Sequence, residues 1–169
     1  MSLPDPVEPQ AQRPALQNYG VSSEADGLLP WSFASDQLAA ARNYWISTTR
    51  PDGRPHATPV WGVWLDGRLY FGAAVDSVKA RNLAANPALL VHLESGDEVV
   101  ILEGEAQWLT EVAPELWQRI ADQYALKYDG FRPDPPSAQG PFITLHPRSA
   151  LGWLERDFVR SATRWRLEA

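Results

Sequence analysis

Small polar and basic residues cluster where a short helix is expected to begin. Ser77, Lys79 and Arg81 stand two residues apart, and Asn82 follows directly. A helix N-terminus presents unpaired N–H groups and the positive end of the helix dipole, and a serine there can cap it. An ammonium group beside those donors suits a phosphate. The segment therefore predicts an anion site, with a capped and solvated helix as the simpler alternative.

A second stretch, residues 54–65 (RPHATPVWGVWL), predicts a long strand interrupted by proline and glycine. Pro55 and Pro59 remove two ladder donors, so part of the strand cannot pair normally. Its free backbone groups can face a flat, hydrogen-bonding ring between the apolar walls of Trp61 and Trp64. Strand alternation places four residues on one face: Arg54, His56, Thr58 and Val60. A plain edge strand with a solvated polar strip is the alternative.

The sequence lacks the common catalytic and metal-binding motifs. It has no cysteine, which excludes thiolate nucleophiles, disulfides and cysteine zinc sites. No two of His56, His92 and His146 have metal-ligand spacing, and no nucleophile elbow, Walker loop or dinucleotide-binding glycine motif occurs. His92 is expected to pack within a strand and His146 to lie at a strand end. We therefore predict no metal and assign no catalytic residue, with His56 as the one candidate.

Length and charge limit the class of protein and its partners. The chain has 169 residues and a formal net charge of −6, which argues against nucleic acid or an anionic membrane as partner. No apolar run approaches the roughly 18 residues of a membrane span, and the first residues lack the features of a signal peptide. The expectation is a cytoplasmic protein.

Periodicity and turn residues predict a strand-rich domain that follows an irregular arm over residues 1–30. A helix is expected from Ser32 or Ser35 to Arg42, another from the Ser77 cap to Asn86, and a third over 113–127. Two Asp-Gly turns predict a three-strand meander, and Gly104 predicts a bulge. The strand candidates are 44–50, 54–65, 68–74, 88–94, 98–109, 142–146, 149–154 and 163–167. Residues 31–169 thus predict a mainly β (α+β) domain, an antiparallel barrel flanked by short helices.

An ordered set of segments resembles the split-barrel flavin and deazaflavin oxidoreductases, the superfamily of pyridoxamine 5′-phosphate oxidase. The resemblance covers about residues 30–168. The segments that carry it are NYWIST (43–48), RPDGRPH (50–56), PVWGVWLDG (59–67), LYF (69–71), SVKARNL (77–83), NP (86–87), EG (103–104) and ATRWR (162–166).

The resemblance implies a six-stranded split barrel that forms a homodimer, with the cofactor sites at the subunit interface. The strand Arg54–Trp61 would lie along the flavin ring, and the segment from Ser77 would hold the phosphate. The cofactor-binding residues implied are Arg54, His56, Thr58, Pro59, Val60, Trp61, Gly72, Ser77, Lys79, Arg81 and Asn82.

One departure from the family pattern favours a branch that uses a deazaflavin. Pyridoxamine phosphate oxidases carry an R-x-x-L-L-K strand, whereas the matching strand here reads RPHATPV. The Pro-Val-Trp strand and the TRWR ending look most like the branch that uses coenzyme F420, which has an anionic tail. Candidate partners for that tail are Arg50, Arg54, Lys79 and Arg81.

The expected activity is hydride transfer from F420 to a small conjugated or quinone-like molecule, with His56 or a water protonating the product. The alternatives are an FMN-dependent oxidase or reductase and a non-catalytic carrier of F420 or haem.

Overall fold

The computed structural model describes residues 8–138 and 140–167. The strands are β1 (Gln10–Gln12), β2 (Tyr44–Thr49), β3 (Pro55–Val60), β4 (Val63–Leu65), β5 (Arg68–Gly72), β6 (Ala88–His92), β7 (Glu98–Leu109), β8 (Phe142–Leu154) and β9 (Thr163–Arg166). The helices are α1 (Trp31–Ala40), α2 (Val78–Ala85), α3 (Pro114–Lys127) and α4 (Phe158–Ser161). Among the described residues, no helix has the length and apolar character needed to cross a bilayer.

The nine strands of the described residues belong to one antiparallel sheet that curls without closing. The hydrogen-bonded order is β1-β9-β8-β7-β6-β2-β3, and β5 joins β8 with β4 paired to it. The path ends in β1 and β3, and β4 ends the branch that leaves β8 through β5. Strands β3 and β4 are not paired with each other, so the barrel is split between them. The predicted fold class, a mainly β (α+β) antiparallel split barrel with short flanking helices, is confirmed, and the described residues form nine strands where six were expected.

The expected three-strand meander is wrong because its middle strand, predicted over residues 54–65, is interrupted at Trp61 and Gly62. Strand β3 pairs with β2 and β4 pairs with β5, so two separate hairpins replace the meander. Between them the Gly62 N–H donates to the hydroxyl of Tyr128 at 2.8 Å. A side chain at the end of α3 thus takes a backbone donor that a meander would have used within the sheet.

Strand β8 is one continuous strand where two were predicted, and it holds the sheet together. Strand β7 pairs along its whole length, while β5 pairs with its first part and β9 with its second. His146 therefore lies inside β8 and not at a strand end, which corrects its predicted place. The predicted bulge is confirmed by a register shift between Glu103 and Gly104. A Cβ at Gly104 would lie 2.0 Å from the carbonyl oxygen of His146, so only glycine fits there.

The core lies inside the curled sheet, with a second cluster beneath α3. The barrel interior contains fully buried side chains from every part of the sheet path, including Tyr44, Ile46, Leu69, Phe71, Leu102, Leu145 and Trp165. Helix α3 buries Ile120 and Tyr124, as the four-residue spacing predicts. Helix α1 begins at Trp31 after Pro30, before either predicted serine cap.

The described part of the predicted arm lies along the body of the protein. Strand β1 pairs with β9 at the end of the sheet, and Val21 is buried. The guanidinium of Arg13 donates to four carbonyl oxygens, those of Glu24, Asp26, Arg160 and Ala162. The first seven residues of the arm lie outside the described residues.

Candidate cofactor site

A small basic cavity lies between the β2–β3 turn and the start of α2. Its volume is about 340 Å³, and it is lined by Arg50, Pro51, Asp52, Arg54, Val78, Arg81 and Asn82. Three predicted site residues, Arg54, Arg81 and Asn82, therefore come together, although 27 positions separate the first two in sequence. We call this site the basic cavity.

The β2–β3 turn carries two arginines, of which one forms an ion pair with a carboxylate and the other does not. The Arg54 guanidinium forms an ion pair with Asp52 at 2.8 Å, and this contact lowers the pKa of the Asp52 carboxyl. The turn itself is closed by hydrogen bonds from Gly53 N to Arg50 O (2.8 Å) and from Arg50 N to Arg54 O (2.9 Å). Within residues 8–138 and 140–167, no carboxylate lies within ion-pair distance of Arg50. Arg50 is thus better placed than Arg54 to bind an added anion.

Ser77 caps helix α2, as predicted. Its hydroxyl accepts a hydrogen bond from Ala80 N at 3.3 Å, and its backbone is extended. The Arg81 guanidinium donates to the carbonyl oxygen of Asp76, which folds it back over the first turn of the helix. Lys79 is half-buried in that turn but does not line the basic cavity. The helix N-terminus therefore adds its dipole and Arg81 to the site, with Lys79 beside it.

Asn82 is buried and holds α2 against the sheet. Its side-chain amide donates to the Thr48 hydroxyl at 2.9 Å, and both side chains are at most 3% exposed. The Thr48 hydroxyl also lies 3.5 Å from His56 Nδ1, at the limit of a hydrogen bond. Thr48 is a residue that the sequence reasoning missed. Strand alternation from Tyr44 and Ile46 would have placed it facing inward.

Strand β3 presents its free edge beside the basic cavity. Pro55 and Pro59 are opposite Thr49 and Trp45 in the β2–β3 ladder. Because proline cannot donate, these are the non-hydrogen-bonded pairs of the ladder, and backbone groups at 55, 57 and 59 point away from β2. The free edge therefore offers three carbonyl oxygens and one N–H, that of Ala57.

The remaining predicted residues on and after β3 differ in their burial and in the groups that they contact. His56 and Thr58 are half-buried on one face, and Val60 is buried in the core. Trp61 follows the strand and stacks on Tyr128, with ring centroids 4.4 Å apart and an interplanar angle of 11°. Trp61 is therefore held against α3.

Two further predictions concern residues on other strands. Gly72 lies exposed at the end of β5, opposite Phe142, and does not line the basic cavity. His92 packs as expected, with its ring parallel to that of Trp45. Among the residues that the structure describes, no group of His, Asp or Glu is placed to hold a metal ion.

A larger concavity, which we call the basic groove, was not predicted. Its volume is about 1290 Å³, and it lies between β1, the start of α1, the β4–β5 turn and the middle of β8 and β9. Five segments far apart in the sequence contribute to it, so no local pattern could have indicated it. It shares no lining residue with the basic cavity.

Comparison with known proteins relates this fold to one family. A family model described as pyridoxamine 5′-phosphate oxidase matches residues 33–153. No curated protein matches the chain.

Solved structures agree on the fold. A conserved hypothetical protein from Mycobacterium tuberculosis is 26% identical, with a TM-score of 0.66, over 79% of this chain and 89% of that one. A protein described as an F420 reductase is 24% identical, with a TM-score of 0.52, over 68% of this chain and 94% of that one. An FMN-binding protein related to pyridoxamine 5′-phosphate oxidase, from Nostoc punctiforme, is 15% identical, with a TM-score of 0.53, over 82% and 93% of the two chains.

Proposed function

Because the chain belongs to the pyridoxamine 5′-phosphate oxidase family, a group of flavin-binding oxidoreductases, we propose that it binds a flavin-type cofactor in and beside the basic cavity. The proposed cofactor is coenzyme F420, and the proposed reaction is reduction of a small conjugated or quinone-like molecule. The observation that carries this proposal is the position of the free edge of β3 next to a cavity that contains three arginines.

The residues present fit both ends of such a cofactor. The pyrimidine edge of a flavin or deazaflavin has two carbonyl oxygens and one N–H. Ala57 N–H matches a carbonyl of that edge, and the outward carbonyl oxygens of β3 match its N–H. The arginines of the basic cavity, Arg50 and Arg81 first, suit the phosphate that both cofactors carry.

The charge around the cavity favours the more anionic cofactor. Arg50, Arg54, Arg81 and Lys79 face two nearby carboxylates, Asp52 and Asp76, in a chain whose net charge is −6. A local excess of cations on an acidic protein attracts a ligand with several negative charges. The F420 tail adds carboxylates to the phosphate, whereas FMN carries the phosphate alone. The similarity to a protein described as an F420 reductase supports the same choice.

The protein's own part in the reaction is to bind and orient. The deazaflavin, when bound, supplies hydride chemistry. The edge of β3 would hold the ring and the basic cavity would hold the phosphate, which would orient the cofactor for reaction. His56, held next to Thr48, is the proposed group to return a proton to the product.

We also propose that the protein is a homodimer. The free edge of β3 and the split between β3 and β4 leave one side of the ring site open in a single chain. A second copy placed there would cover the ring and exclude water. Light scattering of the full chain tests this proposal, and a mass near that of one 18.8 kDa chain contradicts it.

The cofactor proposal is tested by titrating the full-length protein with F420 and with FMN in parallel, using cofactor fluorescence. We expect F420 to bind more tightly than FMN. Arg50→Ala and Arg81→Ala should each weaken F420 binding by more than about tenfold, the value of one lost charge-assisted hydrogen bond.

Arg156→Ala is the matched control, because Arg156 is exposed, pairs with Glu98 and lies outside the basic cavity. Unchanged affinity in both cavity variants would refute the assignment of the phosphate to this cavity. Tighter binding of FMN would replace F420 with FMN as the cofactor.

A further inference from the structure

The basic groove has a strongly cationic floor. Four arginines line it: Arg68, Arg148, Arg164 and Arg166. Arg148 is paired with Glu105 at 2.9 Å, and Arg164 donates to the Ser149 hydroxyl at 3.4 Å. In the part of the chain that the structure describes, neither Arg68 nor Arg166 has a carboxylate within ion-pair distance.

The carboxylates beside this floor do not neutralise it. Asp66 lines the groove, but both of its oxygens accept hydrogen bonds from Arg119, each at 2.8 Å, so its charge is already paired. Glu8 also lines the groove and is exposed. Among the described lining residues, three arginines lack a paired carboxylate, and Glu8 is the one carboxylate without a paired arginine. The groove therefore retains positive charge in an acidic protein.

The walls of the groove are aromatic. Trp31 and Trp64 both line it and are half-buried, so each has part of its surface free for a ligand. Trp31 is fixed in place by an edge-on contact with the buried Trp165, with centroids 5.6 Å apart. Trp64 lies on β4 and packs against the core. Rigid aromatic surfaces of this kind bind flat rings with little loss of conformational entropy.

One further lining group adds hydrogen-bonding capacity to the groove. His146 lies in the middle of β8, and burial together with the nearby Arg68 lowers the pKa of its imidazole below the usual 6.5. The lowered pKa favours the neutral imidazole, which can donate one hydrogen bond and accept another.

We propose that the basic groove is a second binding site, for a small planar aromatic molecule that carries a carboxylate or phosphate. The ring would lie against Trp31 and Trp64, and the acidic group would be held by Arg68, Arg164 and Arg166. The proposal rests on the groove alone and does not depend on the cofactor proposed for the basic cavity.

The test uses naphthalene-2-carboxylate as the probe and naphthalene-2-carboxamide as its neutral counterpart. Both are titrated into the full-length protein, and binding is followed by calorimetry and by quenching of tryptophan fluorescence. We expect the carboxylate to bind at least tenfold more tightly than the carboxamide. Arg68→Met, which keeps the aliphatic stem, and Arg166→Ala should each weaken carboxylate binding by about tenfold or more.

Arg156→Ala should bind the probe as the unchanged protein does, and thermal melts of all variants confirm that each is folded. If Arg68→Met does not fold, Arg166→Ala alone carries the charge test. Equal binding of carboxylate and carboxamide, no detectable binding of either, or unchanged binding in the arginine variants would overturn the proposal. Competition by F420 would also overturn it, because the groove would then belong to the cofactor site. Failure of the probe leaves the F420 titration unaffected, so the two proposals fail separately.

Discussion

The buried contact between Thr48 and Asn82 allows a sharp test of what Asn82 does. The Thr48 hydroxyl accepts the Asn82 amide hydrogen at 2.9 Å, and the two side chains are 3% and 2% exposed. Thr48→Val replaces the hydroxyl by a methyl group of similar size. The Asn82 amide would then lose its only side-chain acceptor among the described residues, although the side chain is almost entirely buried.

An unsatisfied buried donor costs about 1–3 kcal/mol. For a protein of this length, 1 kcal/mol corresponds to a change in Tm of roughly 2–4 °C. We therefore expect Thr48→Val to lower Tm by roughly 2–12 °C. Thr49→Val is the matched control, because Thr49 is the next residue of β2 and is exposed. Its effect should stay within about 0.5 kcal/mol.

A double-mutant cycle then separates this contact from a general effect of either substitution. Asn82→Leu alone leaves the Thr48 hydroxyl with only the long 3.5 Å contact to His56 Nδ1, whereas the double variant removes both partners. The two losses should therefore be less than additive, with a coupling energy of about 0.5–3 kcal/mol from urea unfolding. Additive losses, or a Thr48→Val protein as stable as Thr49→Val, would refute the structural role. Asn82 would then return to being a free phosphate ligand, as the sequence predicted.

Two other predictions concern stability. Gly104→Ala should destabilise the protein by more than about 3 kcal/mol, because the new Cβ would lie 2.0 Å from a carbonyl oxygen of β8. The control in urea unfolding is Gly96→Ala, where nothing lies within 4 Å of the new atom. Equal stability of the two variants would contradict the bulge geometry. Burial lowers the pKa of Lys127 to about 8 from 10.5. Between pH 8 and 10 the Lys127 amine therefore binds a proton more strongly in the unfolded chain than in the folded protein. The free energy of unfolding should accordingly rise with pH over this range. Urea midpoints at pH 7, 8.5 and 10 measure this slope, which Lys127→Met should remove; an unchanged slope would show that another group causes it.

Elements with strong local patterns could be predicted from the sequence. The four-residue spacing of Leu116, Ile120 and Tyr124 gave helix α3, because only one face of that helix is apolar enough to bury. Ser77 was predicted as a cap for a similarly local reason, since its hydroxyl reaches only the first turn of its own helix. The Gly104 bulge was also visible, because a lone glycine in a strand usually marks a departure from regular pairing.

Features that depend on distant residues could not be predicted. The split between β3 and β4 is stabilised by Tyr128, whose hydroxyl takes the Gly62 N–H across 66 positions of the chain. Asn82 looked like a phosphate ligand because its neighbours in sequence are basic, but its partner Thr48 lies 34 positions earlier. In both cases the sequence shows the donor but not the distant group that accepts its hydrogen bond.

The two prolines of β3 give the edge of the sheet a particular selectivity. An exposed edge strand normally invites pairing with a strand from another molecule. Here the outward positions are 55, 57 and 59, and two of the three lack an N–H, so a continuous ladder cannot form along this edge. One N–H and three carbonyl oxygens remain, which is enough for a small planar molecule that needs one acceptor contact and one donor contact. The same residues thus prevent another strand from extending the sheet, and they suit the ring of the proposed cofactor. A second copy of the chain that covers this side must do so through side chains.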